Sequence, residues 1–112
     1  MNPFGKSIST TLFAFVLVSS LSPFQSAADG KELFGKFCMP CHGKDGKAQT
    51  PIARKLGVKD LTQTKLTDAE IEKQINEGKR DDHGKELMPS FKSRLSADEI
   101  KALVVVVKEL KK

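Results

Sequence analysis

The chain has 112 residues and a formal charge of +5, with 29% charged and 38% apolar side chains. That length fits one domain and leaves no room for two, and the composition is that of an ordinary soluble protein. The aromatic set is thin, with seven Phe, no Trp and no Tyr.

Residues 1–28 differ from the rest. Lys6 is their only charged side chain, an apolar stretch runs from Leu12 to Val18, Pro23 breaks any helix, and Ser26-Ala27-Ala28 are small. The order positive, apolar, small is that of a secretory signal peptide, with the cut expected after Ala28 and Ala27 as the neighbouring choice. The apolar run is shorter than the ~20 residues a membrane span needs, so no stable insertion is expected after cleavage. No Cys lies near the cut, which excludes a lipid anchor on a new N-terminal Cys. A single domain over 29–112 remains, destined for the periplasm. It keeps 18 basic and 14 acidic side chains, a net +4, and only Phe34, Phe37 and Phe91. So short a chain with so few large side chains builds a poor core alone and needs a staple such as a disulfide, a metal or a cofactor.

Leu33, Phe34 and Phe37 recur at helical spacing, with Asp29 or Gly30 placed to cap the helix. The stripe is expected to pack on a distant helix and on whatever completes the core. The only two cysteines, Cys38 and Cys41, follow, with His42 immediately after. This pattern has three readings: a disulfide or redox dithiol, half of a zinc site, or C-x-x-C-H haem attachment. Zinc needs four ligands, and the remaining candidate, His83, is far away in sequence. A disulfide over so small a loop removes little chain entropy and has no use for His42. Haem attachment uses all three residues. Each thiol adds to a vinyl group, and the short turn aims the imidazole at iron.

Residues 43–65 lack periodicity and read as a loop with a helical turn near Ile52–Leu56. A loop this long in so small a domain needs a reason, and wrapping a cofactor is one. Thr67-Asp-Ala-Glu70 is a capping box opening a helix near 68–77, with Ile71 and Ile75 on one face and Gly78 as a left-handed stop. Residues 79–94 read as a loop carrying Met88. Pro89 biases Met88 to an extended backbone, which suits a thioether presented to the far side of a haem iron. His83, among Asp81, Asp82, Gly84 and Lys85, is the rival ligand, although a solvated loop suits it better. Met39, between the cysteines, cannot reach the far face. Ser96-Ala-Asp-Glu99 opens a last helix with Ile100, Leu103, Val104, Val107 and Leu110 on one face. The β-branched run Val104–Val107 alone would suggest a strand; the cap, the period and the terminal lysines outweigh it.

Taken in order, these segments resemble a class I cytochrome c over nearly the whole mature chain. Gly30-x-x-x-Phe34-x-x-x-Cys38-x-x-Cys41-His42 resembles that family's first helix running into its attachment site. Met88-Pro89 with Phe91 resembles its distal loop, and Leu95-Ser-x-Asp-Glu-Ile the start of its last helix. The resemblance implies an all-α fold of three to four helices around one covalent haem c, with His42 and Met88 as iron ligands. It also implies that Pro51 offers its carbonyl to the ligand imidazole. The family places an aromatic on the last helix against Phe34, and here Val106 stands near that spot. It often ties a haem propionate to Trp or Tyr, which this chain lacks, so Arg54, Lys55 and backbone amides become candidates. The implied activity is electron carriage rather than catalysis, between redox proteins with acidic docking surfaces, and without nucleic acid. The other functions left open are an open-site haem protein and a haem-free thiol protein.

Overall fold

The structure is a computed structural model that describes residues 3, 5, 13–16 and 29–111. The expected signal peptide and its cut after Ala28 lie outside the described residues, save for the few positions named.

The first helix begins where Asp29 Oδ1 accepts from the backbone N–H groups of Lys31 (3.1 Å) and Glu32 (3.4 Å). It runs without a break through α1 (Gly30–Leu33), a π-helical turn (Phe34–Cys38) and α2 (Met39–His42). In the π turn Met39 N–H donates to Phe34 O, one residue further back than in an α-helix. The cause lies downstream. Pro40 stands in the first turn of α2. In an unbroken α-helix its ring would strike the carbonyl of Lys36. Widening the preceding turn removes that clash.

The 43–66 segment is a series of capped turns. Thr50 Oγ1 accepts from Ala53 N at 3.0 Å to start α3 (Pro51–Leu56), and the same hydroxyl donates to Cys41 O at 3.0 Å. That second bond ties the segment to the C-x-x-C turn. A 3₁₀ turn (Leu61–Gln63) follows, started by Asp60, which accepts from Thr62 N (2.8 Å) and Thr62 Oγ1 (2.6 Å).

Both expected capping boxes form. Thr67 and Glu70 exchange bonds at the start of α4 (Asp68–Glu77). Ser96 and Glu99 do so at the start of α5 (Ala97–Leu110). The valine run is helical, and with the first helix read as one unit the described residues hold four helices, as expected. The core sits between α1, α4 and α5, where Phe34 (4% exposed), Ile71, Ile75, Phe91 (4%), Leu103 (0%) and Val107 are buried together. Val106 replaces the expected aromatic at the α1–α5 crossing. A Cβ on Gly30 would lie 2.8 Å from Val106 Cγ2 and 2.6 Å from Ala102 O, so the two helices meet nearly backbone to backbone. Lys108 Nζ and Asp68 Oδ2, 3.0 Å apart and both exposed, join α5 to α4.

The expected loop over 79–94 is partly a hairpin. β1 (Lys79–Arg80) pairs antiparallel with β2 (Glu86–Met88), with Lys79 opposite Met88 and an irregularity between Lys79 and Arg80. Asp81 closes its turn: its N–H donates to Lys85 O, and Oδ1 accepts from His83 N and Lys85 N, each at 2.9 Å. Backbone and cap bonds hold this hairpin, with no buried stripe to announce it. Gly78 takes a positive φ of 71°, but its ψ of −164° is extended, so it feeds β1 directly instead of forming a left-handed cap. Among the described residues no helix is long and apolar enough to cross a membrane.

The Gly30 crossing yields a stability test. Gly30→Ala must push α1 off α5 and should destabilise the folded protein by about 1–3 kcal/mol, read by denaturant unfolding. An unchanged midpoint would contradict the close approach.

Candidate cofactor site

A cavity of about 650 Å³ opens beside the C-x-x-C turn, inside the ~300–1,000 Å³ span of small-molecule and cofactor sites. The first helix supplies Phe37, Cys38, Cys41 and His42 to one wall, and the hairpin supplies Leu87, Met88 and Pro89 to another. The chain between them adds Leu56, Val58, Leu61 and Leu66. A smaller recess also touches Cys38, His42 and Met88 and runs on to Ile71, Leu103 and Val107 of the core. The four residues named for attachment and ligation therefore share one space, although Met88 is 46 positions after His42 in the chain.

Cys38 and Cys41 are free thiols, each half-buried. Burial, and then the neighbouring Cys41, push the Cys38 thiol up to about 11. A redox dithiol needs the opposite, a thiol acidified toward neutrality by positive surroundings. The microenvironment therefore disfavours the thiol–disulfide reading.

Burial pushes the His42 imidazole below its ordinary pKa, toward the neutral form that binds metals. Its Nδ1 is buried with no hydrogen-bond partner. Such a group costs about 1–3 kcal/mol when nothing satisfies it. The expected acceptor, the carbonyl of Pro51, does not take this bond. Pro51 is the exposed first residue of α3 and is absent from the cavity wall.

The other sulfur and nitrogen candidates fall away from the cavity. Met39 folds onto the hydrophobic core. His83 is exposed on the hairpin turn and lines neither space. Arg54 and Lys55 are likewise absent from the wall, and Arg54 Nη2 reaches Gln49 O at 3.5 Å. The cations that do line it are Lys59, Lys65 and Lys79, with Gln63, Thr64 and Gln74 beside them. Sequence reasoning missed these because an aperiodic loop gives no phase from which to read direction.

Two aromatic side chains finish one wall. Phe37 and Phe91 meet edge to face, with centroids 5.9 Å apart and planes at 70°. The Arg94 guanidinium lies 5.2 Å from the Phe37 ring and 5.3 Å from Phe91, and Lys36 lies 5.2 Å from Phe37. Such contacts hold the rings by about 0.5–1 kcal/mol each. The residues fit a haem: two thiols at vinyl-linking spacing, an imidazole beside them on the wall, a thioether, and an apolar lining.

Comparison with known proteins places the chain among c-type cytochromes. Residues 25–105 match the family model described as cytochrome C oxidase, cbb3-type, subunit III. The chain is 32% identical over 117 aligned residues to the cbb3-type cytochrome c oxidase subunit FixP of Rhizobium meliloti (strain 1021). That match takes in 98% of this chain and 38% of the relative, so the chain spans well under half the relative's length. Among solved structures it resembles the KustC0563 c-type cytochrome, with a TM-score of 0.67 and 39% identity over 75% of this chain and 99% of that one. A chain of the Kuenenia stuttgartiensis reducing HAO-like protein complex Kustc0457/Kustc0458 shares the fold. There the TM-score is 0.60 at 23% identity, over 74% of this chain and 41% of that one.

If the cavity is part of the core, emptying it for good should cost the fold. Replacing both thiols, Cys38→Ala with Cys41→Ala, should leave an unfolded or molten chain by circular dichroism and dye binding. A cooperative, helix-rich apo-domain would refute the dependence.

Proposed function

The chain belongs to the cytochrome c family described as cytochrome c oxidase, cbb3-type, subunit III, and from that premise we propose that it is exported, loses residues 1–28, and carries single electrons in the periplasm by His42/Met88 ligation. Family membership itself brings a covalently bound haem c with iron and an electron-carrying role in place of catalysis. When bound, the haem supplies one-electron exchange at its iron. The remaining functions belong to side chains of this chain.

Cys38 and Cys41 would hold the group covalently, keeping it in place in either oxidation state. His42, directly after Cys41 and pushed by burial toward the neutral form, would offer the iron an imidazole. Met88 would offer a thioether, which favours the reduced metal more than a second nitrogen would. The observation that carries this reading is that Met88 and His42 line the same cavity as both cysteines. Phe37, Phe91 and the aliphatic walls exclude water, which also favours the less charged, reduced state.

The partners follow from charge. Lys59, Lys65 and Lys79 line the cavity, and Asp60 is the one carboxylate among the described residues that does. A positive rim draws an acidic redox protein to the side where the electron leaves.

One preparation tests the chemistry. The exported protein should have the mass of residues 29–112 plus one haem, and its ferric spectrum should be low-spin with a far-red sulfur–iron band. Met88→Ala should lose that band, lower the reduction potential and bind carbon monoxide in the reduced state. Wild-type protein that is high-spin would sink the His42/Met88 assignment. Docking is tested separately. Electron exchange with an acidic redox protein should slow as ionic strength rises from ~0.01 to ~0.1 M, where the screening length falls from about 30 to 10 Å. Indifference to salt would remove the acidic-partner reading.

A further inference from the structure

The Met88 strand is held against α4 by contacts that a side chain at position 78 would forbid. A Cβ on Gly78 would lie 2.7 Å from Pro89 C, 2.7 Å from Ser90 N, and closer still to Met88 O. All three are backbone atoms, so no rotamer change could make room. Two bonds draw the same strand down onto the end of α4. Ser90 Oγ donates to Asn76 O, and Phe91 N donates to Ile75 O at 3.0 Å. Gln74, which lines the cavity together with Met88, donates from Nε2 to Gly78 O at 2.8 Å. The bare glycine thus sits where α4, the hairpin and the Met88–Ser90 backbone converge.

We propose that Gly78 is a positioning residue for the Met88 thioether, setting through direct backbone contact how far the hairpin projects Met88 into the cavity. The proposal rests on the His42/Met88 reading. With any side chain at 78, the Met88–Ser90 backbone must withdraw from α4 and take the sulfur with it. In the haem-loaded protein Met88 would then hold the iron less firmly, while Cys38, Cys41 and His42, on the first helix, would keep their places.

The experiment uses the haem-loaded protein and added imidazole, which competes for the sixth position of the ferric iron. Gly78→Ala should keep its haem by mass and its helix content by circular dichroism, lose or weaken the far-red band, and bind imidazole at least tenfold more tightly. Two controls separate positioning from other effects. Gly84 also has a positive φ, 79°, but a Cβ there meets nothing within 4 Å, so Gly84→Ala carries the backbone strain without the obstruction. Gly30→Ala weakens the fold away from Met88. Both should match wild type in band and imidazole affinity. Where Gly78→Ala does not load haem, Ser90→Ala takes its place. It removes the Asn76 bond without adding bulk, and should tighten imidazole binding about fivefold, the worth of one hydrogen bond.

Wild-type behaviour of Gly78→Ala, or of Ser90→Ala in its stead, would overturn the proposal, as would an equal effect from Gly84→Ala or Gly30→Ala. Failure of the underlying reading looks different: the wild-type protein itself would lack the band, and Met88→Ala would change nothing.

Discussion

Phe34, Phe91 and a row of aliphatic residues bury themselves between the first helix, α4 and α5, and of the aromatic side chains within 29–112 only Phe37 is left, on the cavity wall. The space beside Cys38, Cys41 and His42 is walled by apolar residues yet not filled by them. A domain this small has little stability to spare, so a bulky group in that space acts as core as well as cofactor. Most of the remaining architecture serves to hold walls around it. The capped turns of 43–66 bring aliphatic side chains to it, α4 supports the hairpin, and Thr50 ties the attachment turn to the segment that follows it.

What could be read in advance was whatever rests on local chemistry. Thr67 with Glu70 and Ser96 with Glu99 mark helix starts by bonds within four residues, and the structure forms both. Cys38, Cys41 and His42 are adjacent, so their joint role needed no fold. Met88 stood out because it had few rivals and a proline behind it, and the structure puts it on the cavity wall with His42. What escaped depends on geometry between distant parts. The hairpin of 79–88 is made by backbone bonds among charged residues, with no alternation to betray it. Pro51 was matched to a role by its place in a family pattern, whereas here the helix it starts holds it at the surface. Arg54 and Lys55 were nominated by charge alone, and the neighbouring Lys59 and Lys65 are the ones that line the cavity.

The cavity also shows how charge and apolar surface divide their duties. Phe37 and Phe91 stand between the interior and Arg94, so a permanent cation lies one aromatic layer from the cofactor space. Arg94 is itself exposed, so solvent screens much of that charge, and its pull on the electron-loaded state is modest.

The π turn carries a consequence for how this chain can tolerate change. It stores one residue beyond what an α-helix of the same span would use, taken up where Pro40 would otherwise clash. Deleting one position among 35–37 would therefore let the turn close to an ordinary α pitch with little change of phase on either side, and Gly30 would keep its seat on Ala102. What would return is the clash between the Pro40 ring and the carbonyl four residues before it. A deletion from an ordinary α turn, which has no residue to spare, would instead rotate one half of the helix against the other by about 100°.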